Sequence, residues 1–364
     1  MWQKIREGLD LRIGLSNIVD SSLKEHRVPK DTNIFYTIGI VTLVAYFIQA
    51  VSGYFLLMYY VPHTDHAFNS VQNIMTNVSY GWLVRMIHIV ASNLMVALVF
   101  IHLISIFFMG SYKKPREATW LAGGLLLLVT LLFCLSGYLL PWSQRSYWAT
   151  TIVTNLPTAF PVVGDMIANV LRGGDSISGV TLTRFFSLHV GFLPAIFMSI
   201  VGLHIFLIWR IGLSVPPFSK SAEEEKPWTE YHNTLYTESY PFYPNFVMKE
   251  VSMVMLFIAI IFFMISFFPT LFIPEAANTP ADPFKTPADI KPEWYFLAPY
   301  QMLKLIPNKF FGISIQIVAI FTFLLWPFFD TGEEKNIMKR PALLGVFLIL
   351  LAAWFALTFW GRYS

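Results

Sequence analysis

The sequence predicts an all-α integral membrane protein, a four-helix transmembrane bundle followed by a three-helix transmembrane domain. Three observations lead there. Of 364 residues, 55% are hydrophobic and only 13% charged, more apolar side chain than a water-soluble core can hide. Seven apolar runs, near 33–60, 82–109, 119–140, 185–209, 247–273, 311–329 and 341–360, are long enough to cross a hydrocarbon layer of about 30 Å. None alternates with the two-residue period of a barrel strand, and lipid offers no partner to an unpaired backbone amide, so the runs are helices.

Residues 1–32 mix Lys4, Arg6, Arg12, Lys24, Arg27 and Lys30 with acids and lack a compact apolar stretch, so they read as an amphipathic cytoplasmic arm rather than a cleavable signal. Residues 33–215 hold the first four spans. Basic side chains crowd the segments before span one, after span two ("GSYKKPREATW"), after span four (Arg210, Lys220, Lys226) and after span six ("EEKNIMKR"), whereas "VPHTDHAFNSVQNIMTN" has none. That bias puts the N-terminus in the cytoplasm and, after seven crossings, the C-terminus outside; the bilayer is expected to be a bacterial cytoplasmic (inner) membrane. Residues 216–245, with "SAEEEKPW" and several prolines, form a linker with a boundary near Ser221, and 246–364 hold the last three spans.

Two long external loops suggest a site on that face: 140–183, in which "PTAFPVVGDMIANV" is patterned as a short interfacial helix, and the loop carrying "PADIKPEWYFLAPYQMLK". The single cysteine, Cys134, excludes a disulfide, a paired-thiol cofactor attachment or a thiolate cluster within the chain. The net charge of +3 follows from topology, and no nucleic-acid-type basic stripe or phosphate-binding glycine loop is present.

In "HIVASNLMVALVFIH", His88 and His102 lie fourteen residues apart on span two, about 21 Å along a helix and within roughly 40° of one direction. Span four repeats the arrangement in "HVGFLPAIFMSIVGLH", from His189 to His204. Both spans run inward, so His88 can face His189 near the outer surface and His102 can face His204 near the inner one. The spacing of fifteen in span four is a mismatch of direction that a kink at Pro194 can absorb. Two neutral imidazoles facing each other inside a bilayer can coordinate one metal centre from both sides, and heme iron fits that geometry. Gly39 and Gly53 on span one, and Gly123 and Gly137 on span three, are also fourteen apart. On those outward-running spans Gly39 and Gly123 match the inner depth, and Gly53 and Gly137 the outer, where a flat macrocycle needs close approach to backbone. Arg85 and Arg184, just outside the outer pair, can neutralise heme propionates. One buried histidine is more often a satisfied core residue; four of eight, in matched pairs with two glycine pairs in register, favour two hemes.

With these residues in place, the chain resembles the cytochrome b family of cytochrome bc complexes and their photosynthetic relatives. The likeness rests on "GWLVRMIH", "SYKKPREATW", "SGYLLPWSQRSYWATTIVTNLP", "TLTRFFSLH" and "PEWYFLAPYQMLKLIPNK" and covers almost the whole chain, here with the four-helix and three-helix parts fused. It implies two noncovalent b-type hemes, ligated by His88, His189, His102 and His204, in a proton-motive quinol:cytochrome c (or equivalent acceptor) oxidoreductase. It implies an external quinol-oxidation site at "PEWY", with Glu293 accepting a proton and Tyr295 and Tyr138 shaping the pocket. At "FYPNFVMKE" it implies an inner quinone site with Lys249 and Glu250 as proton donors. One electron leaves to a Rieske iron-sulfur protein and on to a c-type cytochrome, the other to the outer heme, the inner heme and a quinone. That inward transfer works against about 2.3 kcal/mol per charge per 100 mV, so the two hemes span the bilayer as a relay. A homodimeric complex is implied as well.

Some positions depart from the family pattern. Thr37 stands where photosynthetic relatives tether an extra heme through cysteine, so a covalent third heme is not expected. Ser105 replaces an arginine near the inner ligand, leaving the inner propionates to bases such as Lys113, Lys114 and Arg116. Ala149 replaces a glycine and narrows the outer quinol pocket. A diheme b anchor of a hydrogenase or formate dehydrogenase, or a proton-coupled transporter, would share intramembrane histidines but need no "PEWY" loop.

Overall fold

The computed structural model describes residues 26–218, 238–273, 275–287 and 290–364. The arm expected over 1–32 falls outside the described residues except at its end. There β1 (Arg27–Pro29) pairs antiparallel with β2 (Ser239–Pro241), Val28 opposite Tyr240, so the chain entering the first span is tied to the chain entering the fifth. Most of the expected linker also falls outside.

The helices in chain order are α1 (Ile38–Leu57), α2 (Ala67–Thr76), α3 (Gly81–Phe108), α4 (Glu117–Leu139), α5 (Gln144–Asn155), α6 (Gly164–Arg172), α7 (Gly179–Ser187), α8 (Leu193–Ile211), α9 (Val247–Phe267), α10 (Pro269–Phe272), α11 (Leu297–Leu305), α12 (Lys309–Leu324), α13 (Trp326–Phe329) and α14 (Pro341–Tyr363). Six stretches are long and apolar enough to cross a membrane: Ile34–Leu57, Gly81–Phe108, Glu117–Leu139, Gly179–Ile211, Phe242–Phe267 and Pro341–Tyr363.

The seventh run, expected over 311–329, is not one long helix. It forms the 16-residue α12, breaks at Leu325, and resumes as the single turn α13. Pro327 is the cause: its ring blocks regular helix, and it has no N–H to give to the carbonyl four residues back. That carbonyl, of Phe323, instead accepts the indole N–H of Trp120 on α4 at 3.0 Å. The interrupted run still passes from one end of the bundle to the other. Before it, Lys304 donates to Ser364 at the chain's end; after it, Asp330 is bound to Lys113, beyond the far end of α3.

Helix α3 packs along α1, and α4 along α8, while α9 lies against both α1 and α3. Their shared core includes Val41, Ala45, Tyr46, Val90, Ala91, Met95, Val129, Phe197, Phe257 and Ile261. Tyr46 stacks on Phe197 with ring centroids 4.3 Å apart, and Phe133 closes on both. This aromatic group separates the bundle into two levels.

Span four carries a feature that the sequence analysis assigned to another cause. Leu188–Phe192 is a π-helical turn lying between α7 and α8, with Pro194 in the first turn of α8. An i→i+5 turn absorbs one extra residue, so fifteen residues here turn through about the angle that fourteen do elsewhere. Pro194 has no N–H to close an i→i−4 bond, which favours the widened turn in the residues just before it. In the external loops, "VPHTDHAFNSVQNIMTN" contains α2, and "PTAFPVVGDMIANV" ends in α6.

Candidate functional site

Each of the four intramembrane histidines abuts one glycine. A Cβ built on Gly39 would lie 3.4 Å from Cε1 of His102; on Gly53, 3.2 Å from His88; on Gly123, 3.3 Å from His204; on Gly137, 2.5 Å from His189. The missing side chains therefore make room for the imidazole edge itself, and not only for a macrocycle. Two levels result. At one, the rings of His88 and His189 are 6.4 Å apart at 74°; at the other, His102 and His204 lie within electrostatic reach of each other.

The Nδ1 atoms are mostly engaged. His88 Nδ1 meets Ser52 Oγ at 2.9 Å, His189 Nδ1 meets Ser136 Oγ at 3.1 Å, and His204 Nδ1 meets the Thr119 carbonyl at 3.0 Å. Both serines also donate to carbonyls of their own helices, Ser52 to Ile48 and Ser136 to Phe133, which leaves their lone pairs to accept from an imidazole Nδ1–H. That tautomer puts the free lone pair on Nε2, the atom a metal would take. His102 Nδ1 is buried without a hydrogen-bond partner among the described residues. Four imidazoles in two facing sets, orienting partners on three and glycine cradles behind all four fit the demands of bis-histidine heme binding.

The two serines do carry a sequence signal: Ser52-Gly53-Tyr54 and Ser136-Gly137-Tyr138 are the same tripeptide at equivalent places on α1 and α4. Gln49, whose Nε2 donates to the His88 carbonyl at 2.9 Å, carries none.

The remaining candidates divide. Arg85, one turn before His88, is buried and has no ion pair among the described residues. Arg184 is exposed and donates to the carbonyl of Val170, so it faces the α6 loop. Lys113 is committed elsewhere: its ammonium lies 3.0 Å from Asp330 Oδ1 and donates to the Gly332 carbonyl at 2.6 Å. Asp330 in turn binds Arg340 at 2.5 and 2.8 Å and accepts from the Tyr112 hydroxyl. Arg116 is buried, with Nε donating to Gly212 at 3.5 Å, and Lys114 is exposed. Thr37 is fully buried and donates to the Ile34 carbonyl.

At the His88–His189 level, Glu293 stands just before a short turn, Trp294–Phe296, and its carboxylate is 3.5 Å from Nη2 of Arg145 at the start of α5. Tyr138, one residue past Gly137, has a buried hydroxyl with no hydrogen bond of ordinary geometry among the described residues and lies within electrostatic reach of Glu293 and Arg145. Tyr295 is buried; that burial foremost, with Cys134 and Glu293 nearby, holds its phenol well above the ordinary range, so it stays protonated. Trp294 donates its indole N–H to Asn93 Oδ1 at 2.9 Å, anchoring the turn on α3 between the two histidine levels. Ala149 is buried on α5. A cavity of about 450 Å³ opens beside Arg145, lined also by Gln144, Lys291, Arg362 and Tyr363.

At the opposite end, Lys249 donates to the Thr32 carbonyl at 3.3 Å and to the Tyr240 hydroxyl at 3.2 Å, and its ammonium lies over the Tyr240 ring. Glu250 is half-buried in the first turn of α9.

Paired imidazoles at two depths of a membrane bundle, with a carboxylate and two tyrosines beside one pair, define a membrane electron-transfer protein that binds heme and meets quinone. Comparison with known proteins agrees. Residues 23–212 match the family model described as cytochrome b/b6/petB, and residues 280–364 match cytochrome b (C-terminal)/b6/petD. The chain is similar to cytochrome b of Rhodospirillum rubrum, 34% identical over 96% of this chain and 83% of the relative, and to that of Rickettsia conorii, 36% identical over 96% and 84%. Cytochrome b of Dictyostelium discoideum is 36% identical over 96% and 87%. A solved structure titled "Hyperthermophilic respiratory Complex III" superposes with a TM-score of 0.89 at 34% identity, over 98% of this chain and 91% of that one.

The chain belongs to the cytochrome b family and is a cytochrome b of a complex III-type quinol:cytochrome c oxidoreductase. Membership brings heme b and quinone as the groups it works with and sets aside the hydrogenase-anchor and transporter readings.

Proposed function

We propose that this chain holds two noncovalent b-type hemes, the outer between His88 and His189 and the inner between His102 and His204, and carries electrons from an external quinol-oxidation site to an inner quinone-reduction site. When bound, the hemes supply reversible one-electron carriers at two depths. Support comes first from the register of glycines and imidazoles, in which each histidine has its own cradle at matched height. Ser52 and Ser136 fix the outer imidazoles with Nε2 free. Arg85, buried one turn away, supplies positive charge to the outer propionates.

Quinol oxidation releases two protons with two electrons. Glu293 takes one proton, being a carboxylate partly open to water and next to the buried Tyr138 hydroxyl. Tyr138 and Tyr295 wall the pocket, and protonated Tyr295 serves as donor to a quinol oxygen. One electron passes to a Rieske iron-sulfur protein and a c-type cytochrome; the other goes to quinone at the inner face, where two such electrons from two turnovers and two protons from the inner side make quinol, with Lys249 and Glu250 as the hydrogen-bonding groups. Residues 33–215 form the heme-holding unit and 246–364 contribute the quinol loop. The complex is a homodimer in a bacterial cytoplasmic membrane, with the N-terminus cytoplasmic and the C-terminus external.

Acid-acetone extraction of the purified complex tests the core of this reading: two extractable hemes are expected on this chain and no covalent residue. His102→Leu or His204→Leu should remove only the inner heme from the reduced-minus-oxidised spectrum, whereas loss of neither, or of both equally, refutes the pairing. Glu293→Gln should slow quinol oxidation by about 10²-fold with both hemes retained; unchanged turnover at saturating quinol removes Glu293 from the role.

A further inference from the structure

We propose that Arg145 is a positioning residue for quinol oxidation: its guanidinium holds the Glu293 carboxylate at the mouth of the outer pocket, beside Tyr138, until substrate arrives. The proposal rests on the reading of Glu293 as the proton acceptor.

Several observations carry it. The only carboxylate paired with Arg145 among the described residues is that of Glu293, at 3.5 Å. Arg145 occupies the first turn of α5, where the exposed N–H groups already present partial positive charge, and that turn holds no acid of its own. A cation placed there is disfavoured by its own helix and needs a counter-charge from elsewhere, and Glu293 supplies it.

The platform under Arg145 is fixed. Ser143 and Ser146 close a capping box on α5. Gln144 is tied through its backbone N–H to Thr279 at 2.8 Å and through its side chain to the backbone of Asp282 at 2.6 Å. Glu293 instead sits on extended backbone ahead of a short turn, and its side chain is more exposed than that of Arg145, 29% against 20%. The partner on the fixed platform therefore orients the carboxylate that is more open to water.

A part-exposed ion pair of this kind adds little to stability, so holding the fold together is not its main effect. What it changes is where the carboxylate points. The Tyr138 hydroxyl, buried and with no hydrogen bond of ordinary geometry among the described residues, lies within electrostatic reach of both members of the pair. A quinol oxygen between Tyr138 and a carboxylate held by Arg145 has a donor on one side and a proton acceptor on the other, which is the arrangement proton transfer requires. The cavity that Arg145 itself lines gives the side chain room to swing away once the carboxylate is protonated and no longer attracts it.

The test compares Arg145→Gln, Arg145→Lys, Glu293→Gln and the double variant in the intact complex, with heme content measured from the b-type spectrum. Arg145→Gln is expected to lower kcat for quinol oxidation on the order of tenfold with KM and heme content unchanged, and Arg145→Lys to restore most of it. The double variant should be no slower than Glu293→Gln alone. If Glu293→Gln is impaired but Arg145→Gln turns over normally, or the two losses multiply, Arg145 does not act through Glu293 and the proposal is wrong. A normal Glu293→Gln instead overturns the reading of Glu293, and the proposal with it. Should Arg145→Gln lose heme, Arg145→Met and its combination with Glu293→Gln make the same comparison.

Discussion

Single atoms set the fit of the proposed heme pockets. A Cβ on Gly137 would come to 2.5 Å from His189, closer than real side chains tolerate, whereas those on Gly39, Gly53 and Gly123 would sit at 3.2–3.4 Å, where a small shift suffices. Gly137→Ala is therefore expected to displace His189 and empty the outer site, with Gly39→Ala keeping both hemes. Reduced-minus-oxidised spectra of the two variants check this, and equal behaviour would count against the register. At this scale much was legible: histidines and glycines at matched spacing can be counted along a chain because helical geometry converts separation into height and direction. What could not be counted was the partner of each Nδ1, since a backbone carbonyl such as that of Thr119 carries no residue signature. Ser52 and Ser136 did carry one, in the repeated Ser-Gly-Tyr.

Elements show where periodicity ceases to be a guide. Span four reads as one apolar helix, yet it contains the π turn Leu188–Phe192, which returns His189 and His204 to one face despite their spacing of fifteen. Deleting Gly191 from that turn is expected to convert it to regular helix with a spacing of fourteen, as in α3, and to leave both hemes bound. Loss of the inner heme in that variant would show that the extra residue is not absorbed locally. The seventh run fails differently: hydropathy continues from 311 to 329 while the helix stops at Leu324. Apolarity reports where lipid or core will be; Pro327 decides whether hydrogen bonding can continue, and Trp120 from another helix takes up the carbonyl that it frees.

For the whole molecule, the joint between the first four spans and the last two is electrostatic at one end. Asp330 gathers Lys113, Arg340 and Tyr112, and Lys113 is only 4% exposed. Burial alone would raise the Asp330 carboxyl, but hydrogen bonds from Arg340, Tyr112 and Lys113 outweigh it and hold the group below the usual carboxylate range. The same contact, after the effect of burial, helps push the Tyr112 phenol up to about 12. Asp330→Ala strands two cations and is expected to cost about 3–5 kcal/mol, read as a lowered Tm of the complex. Because the folded-state value is depressed, the contribution of Asp330 is complete above its unfolded value of about 3.9 and is lost as pH falls through the folded value. The Tm gap between parent and variant should therefore be full at pH 6 and narrow only below about pH 4; a gap independent of pH would place the stabilisation elsewhere.

The sequence by itself determined that the chain lives in a bilayer, that four histidines stand at two heights, and that a carboxylate-bearing loop lies on one side. These follow from composition and from the fixed rise and turn of a helix, which are local properties. Only the tertiary structure decided which glycine backs which imidazole, that Lys113 belongs to Asp330, and that Arg145 meets Glu293. Each is an encounter between residues far apart in the chain, set by how helices pack, and no spacing along one strand of sequence records it.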